Sequence, residues 1–395
     1  MDKLNVIHHM NEFRNIITYA ANIGFFFGAG VSCAFDLPSI RQLTDEVNAL
    51  LSADQQKLYV TIETAIKDLT RKAEVTIEDV LNHLREVRNL TKDRPDYDFK
   101  GVTGKEAAEL DHEICNTVFK IIREDTEHAD VSDLRRFFAW YDALTRGFIK
   151  EIYTTNYDML FEMAMEANKI PYFDGFSGSY EPFFLPESIE SFPEVTDSTN
   201  KWIRLWKLHG SLNWMKKPTA QLSTSHIIRV GKIDEPKNEL MIYPSREKYS
   251  LSRKEPYIAY FDRLKKYLSY SEVVFIMAGY SFSDEHINEI IINALRSNSR
   301  LYVAVLCHDD QQVENMEVFA KSCTNLWISG PKKVIINSVK KEWIYDDSGI
   351  KDNGVGLYWD KTNNRFLLGD FKKLIDFLID NSGRRSVIED IINAK

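Results

Sequence analysis

Four short segments hold the residues of this 395-residue chain best suited to chemistry. They are Gly28-Ala29-Gly30-Val31-Ser32, Thr154-Thr155-Asn156-Tyr157-Asp158, Leu208-His209-Gly210-Ser211 and Gly279-Tyr280-Ser281. Each follows a short apolar run that reads as a buried strand, and open α/β sheets bind ligands at strand carboxyl ends. Gly28 and Gly30 would let backbone N–H groups approach a pyrophosphate with no Cβ in the way. The full G-x-G-x-x-G spacing is missing, so a tight strand-to-helix turn without a ligand is the competing reading. Asn156 offers two donors and an acceptor on a short stem, suited to fixing a ribose hydroxyl or a water. A loop-capping role is its plainer alternative, as a helix N-cap is for Asp158. His209 follows a strand and precedes a glycine that admits substrate, which suits a general base. Gly279 and Ser281 read as a second phosphate- or ribose-binding turn, or as a turn with a serine in it. The set describes a dinucleotide pocket containing a histidine and an asparagine.

Periodicity predicts the elements that must position these residues. Ile7, Met10, Phe13, Ile16, Ile17 and Ala20 recur at helical spacing over residues 1–21. Phe25-Phe26-Phe27 opens a strand without polar alternation, as expected of a parallel sheet covered by helices on both faces. Further strands are predicted over 148–153, 203–208, 273–278 and 301–306. Helices are predicted over 159–168 and 284–296, the second capped by Ser283. Residues 52–147 read as an all-helical insertion: Thr76 with Asp79 resembles a capping box, and Gly147 sits where a C-cap glycine belongs. Within it Leu110, Ile114 and Val118 share one helical face, and Leu134, Phe137, Phe138 and Tyr141 another. Residues 171–200 suit a long loop around a pocket or an interface. Beyond Gly330-Pro331 short strands are expected at 334–339 and 355–359, a turn at 360–364 and a helix at 371–379. The expected architecture is an α/β sheet domain over 1–330 and a small C-terminal α+β appendage over 331–395, the latter a possible oligomer or partner contact.

A net charge of −9 argues against non-specific nucleic-acid binding, which needs a basic surface. Cys33, Cys115, Cys307 and Cys323 lie far apart, with no C-x-x-C pair for zinc or redox chemistry. Such sparse thiols suit a reducing compartment. The Met1-Asp2-Lys3-Leu4 start lacks a basic, then apolar, leader, and no run of about 18 apolar residues is present to span a bilayer. A soluble cytoplasmic protein is expected, with no membrane partner. Asp284-Glu285-His286 are consecutive and diverge around a helix, so they are not expected to share a metal.

The order and content of the four motifs resemble the sirtuin superfamily. Its members share a glycine-alanine-glycine turn with a following serine, a T-x-N-x-D block, a histidine-glycine pair and a late G-x-S turn. The resemblance covers about 24–310 and implies a Rossmann-like fold binding NAD in an extended cleft. On this match Asn156 and His209 correspond to the family's catalytic asparagine and histidine, and Asp158 to the aspartate closing the second motif. Arg41, in Pro38-Ser39-Ile40-Arg41, stands where the family has an arginine after a proline-aspartate-phenylalanine run, with Ser39 replacing the aspartate. Protein-deacylating sirtuins carry two cysteine pairs of a zinc module after the histidine, whereas 211–244 contains no cysteine. The helical insertion, Met241-Ile242-Tyr243-Pro244 with Lys248, and Gly279 through His286 look similar to sirtuin-like domains of bacterial antiviral defence systems, which degrade NAD. Length and the C-terminal appendage resemble the stand-alone partner of a HerA-type ring ATPase.

The resemblance implies an NAD glycohydrolase that makes nicotinamide and ADP-ribose, acting in abortive infection, with NAD as substrate and no zinc. Gly28, Ala29, Gly30, Ser32, Gly279 and Ser281 would hold the ADP-ribose half, with Arg41 and Asp158 as further binding residues. Asn156 would orient the ribose or water, and His209 would accept a proton. The alternatives are an assembly subunit that senses NAD or ADP-ribose without turnover, and a protein deacylase. A homo-oligomer is expected, with a HerA-type ATPase as a possible partner.

Overall fold

The computed structural model describes residues 2–144, 148–191, 202–218, 225–231 and 255–381. The expectations for Gly147, for 192–200 of the long loop, for Met241 to Pro244 with Lys248, and for 382–395 lie outside the described residues.

The chain is built on one ten-stranded sheet. In chain order its strands are β1 (Lys3–Asn5), β2 (Asn22–Phe27), β3 (Glu151–Thr154), β4 (Tyr172–Phe173), β5 (Ile203–Lys207), β6 (Val273–Ala278), β7 (Leu301–Leu306), β8 (Leu326–Ser329), β9 (Lys333–Ile336) and β10 (Val339–Ile344). Across the sheet they run β1-β10-β9-β8-β7-β6-β2-β3-β5-β4. From β8 through to β4 every pairing is parallel, whereas β9 pairs antiparallel with both β8 and β10. Central β2 is the switch point: β3 lies on one side of it and β6 on the other, which opens a crevice at the carboxyl ends. This is a Rossmann-like α/β fold.

The uninterrupted phenylalanine run in β2 follows from burial on both faces. Phe25 and Phe27 point into one hydrophobic layer and Phe26 into the other, and all three are fully buried. Phe25 meets Phe137 edge-on at 5.0 Å between ring centroids, while Phe26 meets Tyr280 at 4.8 Å. One layer holds helices Val6–Tyr19, Ser132–Asp142, Leu160–Ala167 and Phe371–Asp380; the other holds Tyr257–Leu268, Glu285–Ser297 and Asp310–Ala320.

Between β2 and β3 the chain is helical, with Ala53–Thr70, Ile77–Thr91, Gly104–His128 and Ser132–Asp142. The backbone N–H of Thr76 donates to Asp79 Oδ2 at 3.2 Å, the reciprocal half of the predicted capping box. A two-residue hairpin, Asp98–Phe99 against Val102–Thr103, interrupts this region, too short to leave a periodic signal.

The local differences have local causes. Asn5 caps the first helix, its Oδ1 accepting from the Ile7 N–H at 3.1 Å, so Lys3–Asn5 is free to pair with β10 as a strand. Asp284, not Ser283, caps Glu285–Ser297, because its carboxylate oxygen accepts from both the His286 and Ile287 N–H groups. The predicted strand at 355–359 is mostly a 3-10 turn, Val355–Tyr358, which Gly354 opens at φ +83°. That turn places Val355 and Tyr358, three apart, together in the core. The stretch after Gly330 is joined to the main sheet through β9 and β10, and its helix brings Phe371 to 5.1 Å from Phe27.

Candidate functional site

The turns after β2 and β6 form one unit. Gly28 N–H donates to Ala278 O at 3.0 Å and Gly30 N–H to Gly279 O at 2.9 Å. A Cβ on Gly28 would lie 2.5 Å from Gly279 O, and one on Gly279, whose φ is +65°, would lie 2.4 Å from Val31 N. Both turns need glycine because their backbones touch, which settles their composition before any ligand is considered.

Asn156 is held from two sides. Thr154 Oγ1 donates to Phe27 O at 2.8 Å and accepts from Asn156 N–H at 3.0 Å, tying the ends of β2 and β3 together. The carboxamide donates through Nδ2 to Gly28 O at 3.0 Å and to Ser32 Oγ at 2.8 Å. Those bonds use the donors and fix the amide orientation, so Oδ1 is the atom suited to accept from a hydroxyl or a water. Ser32 Oγ in turn donates to Asp158 Oδ2 at 2.6 Å, and Asp158 Oδ1 accepts from Leu160 N–H at 3.1 Å. Asp158 is therefore buried support for Ser32 and Asn156 as well as a helix-start group.

Lys207, at the end of β5, locks the next turn. Its Nζ donates to Asp158 O, to Glu162 Oε1 at 2.8 Å and to Ser211 Oγ at 2.9 Å. Burial pushes the Glu162 carboxyl above its ordinary range, and the Lys207 ammonium opposes that shift. His209 follows, and its Nε2 lies 3.1 Å from Asp284 Oδ2, with side-chain exposures of only 11% and 4%. The second oxygen of the Asp284 carboxylate is the one that caps Glu285–Ser297.

These elements surround a cleft of about 850 Å³ at the carboxyl ends of β7, β6, β2, β3 and β5, within the range that holds small ligands and cofactors. Ala29, Gly30, Ser32, Asn156, Asp158, His209, Gly279 and Ser281 all line it. Gly28 is not part of the lining; its carbonyl accepts from Asn156 Nδ2 behind the wall. Ser281 is exposed at its edge, where Oγ donates to Ser283 Oγ at 3.1 Å. Arg41 does not line it: its guanidinium pairs with Glu74 at 2.7 Å, and the side chain is 75% exposed. Burial raises the pKa of Cys33, on the cleft wall, which disfavours a reactive thiolate.

Other lining residues were not anticipated. His308 and Asp309 follow β7 just as the four motifs follow their strands, so the same strand-end logic would have found them. Thr76 and Glu78 come from the helical insertion, and Gly369, Asp370 and Lys372 from the C-terminal stretch. No local signal marks these. Among the described residues the lining includes the carboxylates of Glu78, Asp158, Asp284, Asp309 and Asp370 and the ammonium of Lys372. Among the described residues no group of three His, Cys, Asp or Glu side chains is placed to hold a metal ion. No described helix is long and apolar enough to cross a membrane.

No curated protein matches the chain. Residues 150–325 match the family model of the SIR2-like domain, a span from β3 through β7 that includes Asn156, His209, Gly279 and Asp284 but not the Gly28 turn. Over that span the chain is similar to the SIR2-like domain, which is compatible with an NAD-utilising enzyme.

Proposed function

We propose that the protein is an NAD glycohydrolase. The carrying observation is that Asn156 and His209, on neighbouring strand ends, line one cleft beside the paired glycine turns. NAD leaves nicotinamide as a neutral group, because its pyridinium already carries positive charge. The protein therefore has to stabilise an oxocarbenium-like sugar and admit water to it. In this reading Asn156 Oδ1 accepts from a ribose hydroxyl or the water, and His209 takes the water proton as the new C–O bond forms and the C1′–N bond breaks. The excess of carboxylates among the described lining residues favours both the pyridinium and the sugar cation. The turns after β2 and β6 would receive the ADP-ribose half. The resemblance to defence-system domains supports placing this hydrolysis in abortive infection, controlled by assembly with further copies or with a HerA-type ring ATPase.

The test is to incubate the purified protein with NAD, alone and with a HerA-type ATPase, and to identify the products by mass. Nicotinamide and ADP-ribose are expected. His209→Ala and Asn156→Ala should each lower their formation about 10²–10⁴-fold, the usual contribution of a placed general base, with the circular dichroism unchanged. Binding of NAD with no turnover under either condition would instead make the cleft a sensor, and near wild-type turnover in both variants would remove these residues from the reaction.

A further inference from the structure

We infer that Asp284 is a positioning residue for His209, holding its imidazole in the tautomer with the proton on Nε2 and leaving Nδ1 as the basic nitrogen. This inference rests on the glycohydrolase reading for its kinetic consequence, although not for its geometry.

Capping a helix needs one side-chain oxygen, and Asp284 Oδ1 already accepts from the His286 and Ile287 N–H groups at 3.1 and 3.3 Å. Serine or asparagine would serve as well there. Oδ2 does something a cap does not require: it meets the His209 ring at 3.1 Å across 75 residues of sequence, in a nearly dry setting. A carboxylate only accepts, so a neutral imidazole must present an N–H to it, and that nitrogen is Nε2. When the ring takes a second proton on Nδ1, the same carboxylate stabilises the imidazolium.

The loop holding Asp284 is built to stay still. Phe282 sits at φ +56° with its carbonyl accepting from Asn288 Nδ2 at 2.8 Å. Tyr280 hydroxyl donates to Asn288 Oδ1 at 3.0 Å, and the Tyr280 ring packs on Phe26 of β2. The carboxylate is thus fixed to the sheet at one end and to a helix at the other. In the hydrolytic step water gives its proton to Nδ1 while its oxygen bonds to C1′. The glycosidic electron pair leaves with nicotinamide, and the imidazolium later returns the proton to solvent.

The experiment compares full-length wild type, Asp284→Asn, Asp284→Ser and His209→Ala. The histidine ring nitrogens are labelled with ¹⁵N, and His209 is assigned by the signals lost in His209→Ala. Wild type should show a protonated Nε2 and an unprotonated Nδ1 in the neutral ring. Asp284→Asn keeps a capping oxygen but turns its amide N–H toward the ring, so the proton should move to Nδ1. Its kcat should fall about 10²–10⁴-fold with KM changed less than about threefold, the pattern of a wrongly protonated base. Asp284→Ser keeps the cap without fixing the ring, and its kcat should fall less than that of Asp284→Asn. A wild-type ring protonated on Nδ1, or a tautomer that Asp284→Asn leaves unchanged, overturns the inference. So does full kcat in Asp284→Asn where His209→Ala is dead. If wild type never cleaves NAD, the glycohydrolase reading falls, and the ¹⁵N spectra still decide the pairing.

Discussion

Gly279→Ala separates a turn that needs glycine for its own packing from one that needs it for a ligand. At φ +65° an alanine pays about 1 kcal/mol for the left-handed conformation. Its Cβ would also lie 2.4 Å from Val31 N and 2.8 Å from Gly30 C, both backbone atoms that cannot swing aside as a side chain would. Forcing the two turns apart also strains the 2.9 Å bond from Gly30 N–H to Gly279 O. Overpacking of this kind costs about 1–3 kcal/mol, so the expected total is about 2–4 kcal/mol. With a urea m-value of about 3 kcal/mol/M, the unfolding midpoint should drop by roughly 1 M at unchanged slope. Gly101→Ala is the control: its φ is +81°, and a Cβ there would meet nothing within 4 Å. That variant should lose only the conformational part, about 1 kcal/mol. Equal losses in the two variants, measured without NAD, would refute the claim that the turns require glycine because they touch.

Two further predictions concern buried charge. Lys207→Met should destabilise the protein by about 3–5 kcal/mol in urea titrations, because it leaves Glu162 buried without its partner and strands Asp158 O. Lys207→Met with Glu162→Leu should recover most of that loss, whereas an equally unstable double variant would show the ammonium acting mainly on the backbone. His9 is buried against Trp327, and burial lowers its pKa from 6.5 to about 4, with His8 adding a smaller push. Between those two pH values the unfolded chain binds the extra proton and the folded one does not. Stability should therefore fall by about 3 kcal/mol as pH drops from 6.5 toward 4, with no further loss from this group below that. His9→Phe should flatten that part of the pH–stability curve, and an unaltered slope would assign the acid sensitivity elsewhere.

The parallel sheet was legible because burial on both faces leaves an unmistakable apolar run in β2, β6 and β7. Strand-end reasoning was enough to single out Asn156 and His209, which share one cleft. It missed His308 and Asp309 only because the rule was not applied to the strand over 301–306. Asp284 was harder to see. Its local role at a helix start accounts for its presence, and nothing in its neighbourhood announces a bond to a histidine 75 residues away. Arg41 shows the converse: the family resemblance puts an arginine at this position in the site, but the side chain leaves the cleft for Glu74. The helix from residue 371 was legible, with no periodic pattern to reveal which cavity its first turn would close.

The cleft draws its walls from stretches as far apart as Ala29 to Ile40, Thr76 and Glu78, 155–158, His209, Gly279 to Asp284, His308 and Asp309, and 369–372. Until residue 372 has emerged from the ribosome, therefore, the pocket has no complete perimeter, and the pairing of β1 with β10 must likewise wait for residues 342–344. Contacts so distant along the chain form late. A nascent or prematurely terminated polypeptide would carry the glycine turn, Asn156 and His209 yet leave the pocket open on the side of residues 369–372, so translation itself withholds the finished pocket until that segment has been made.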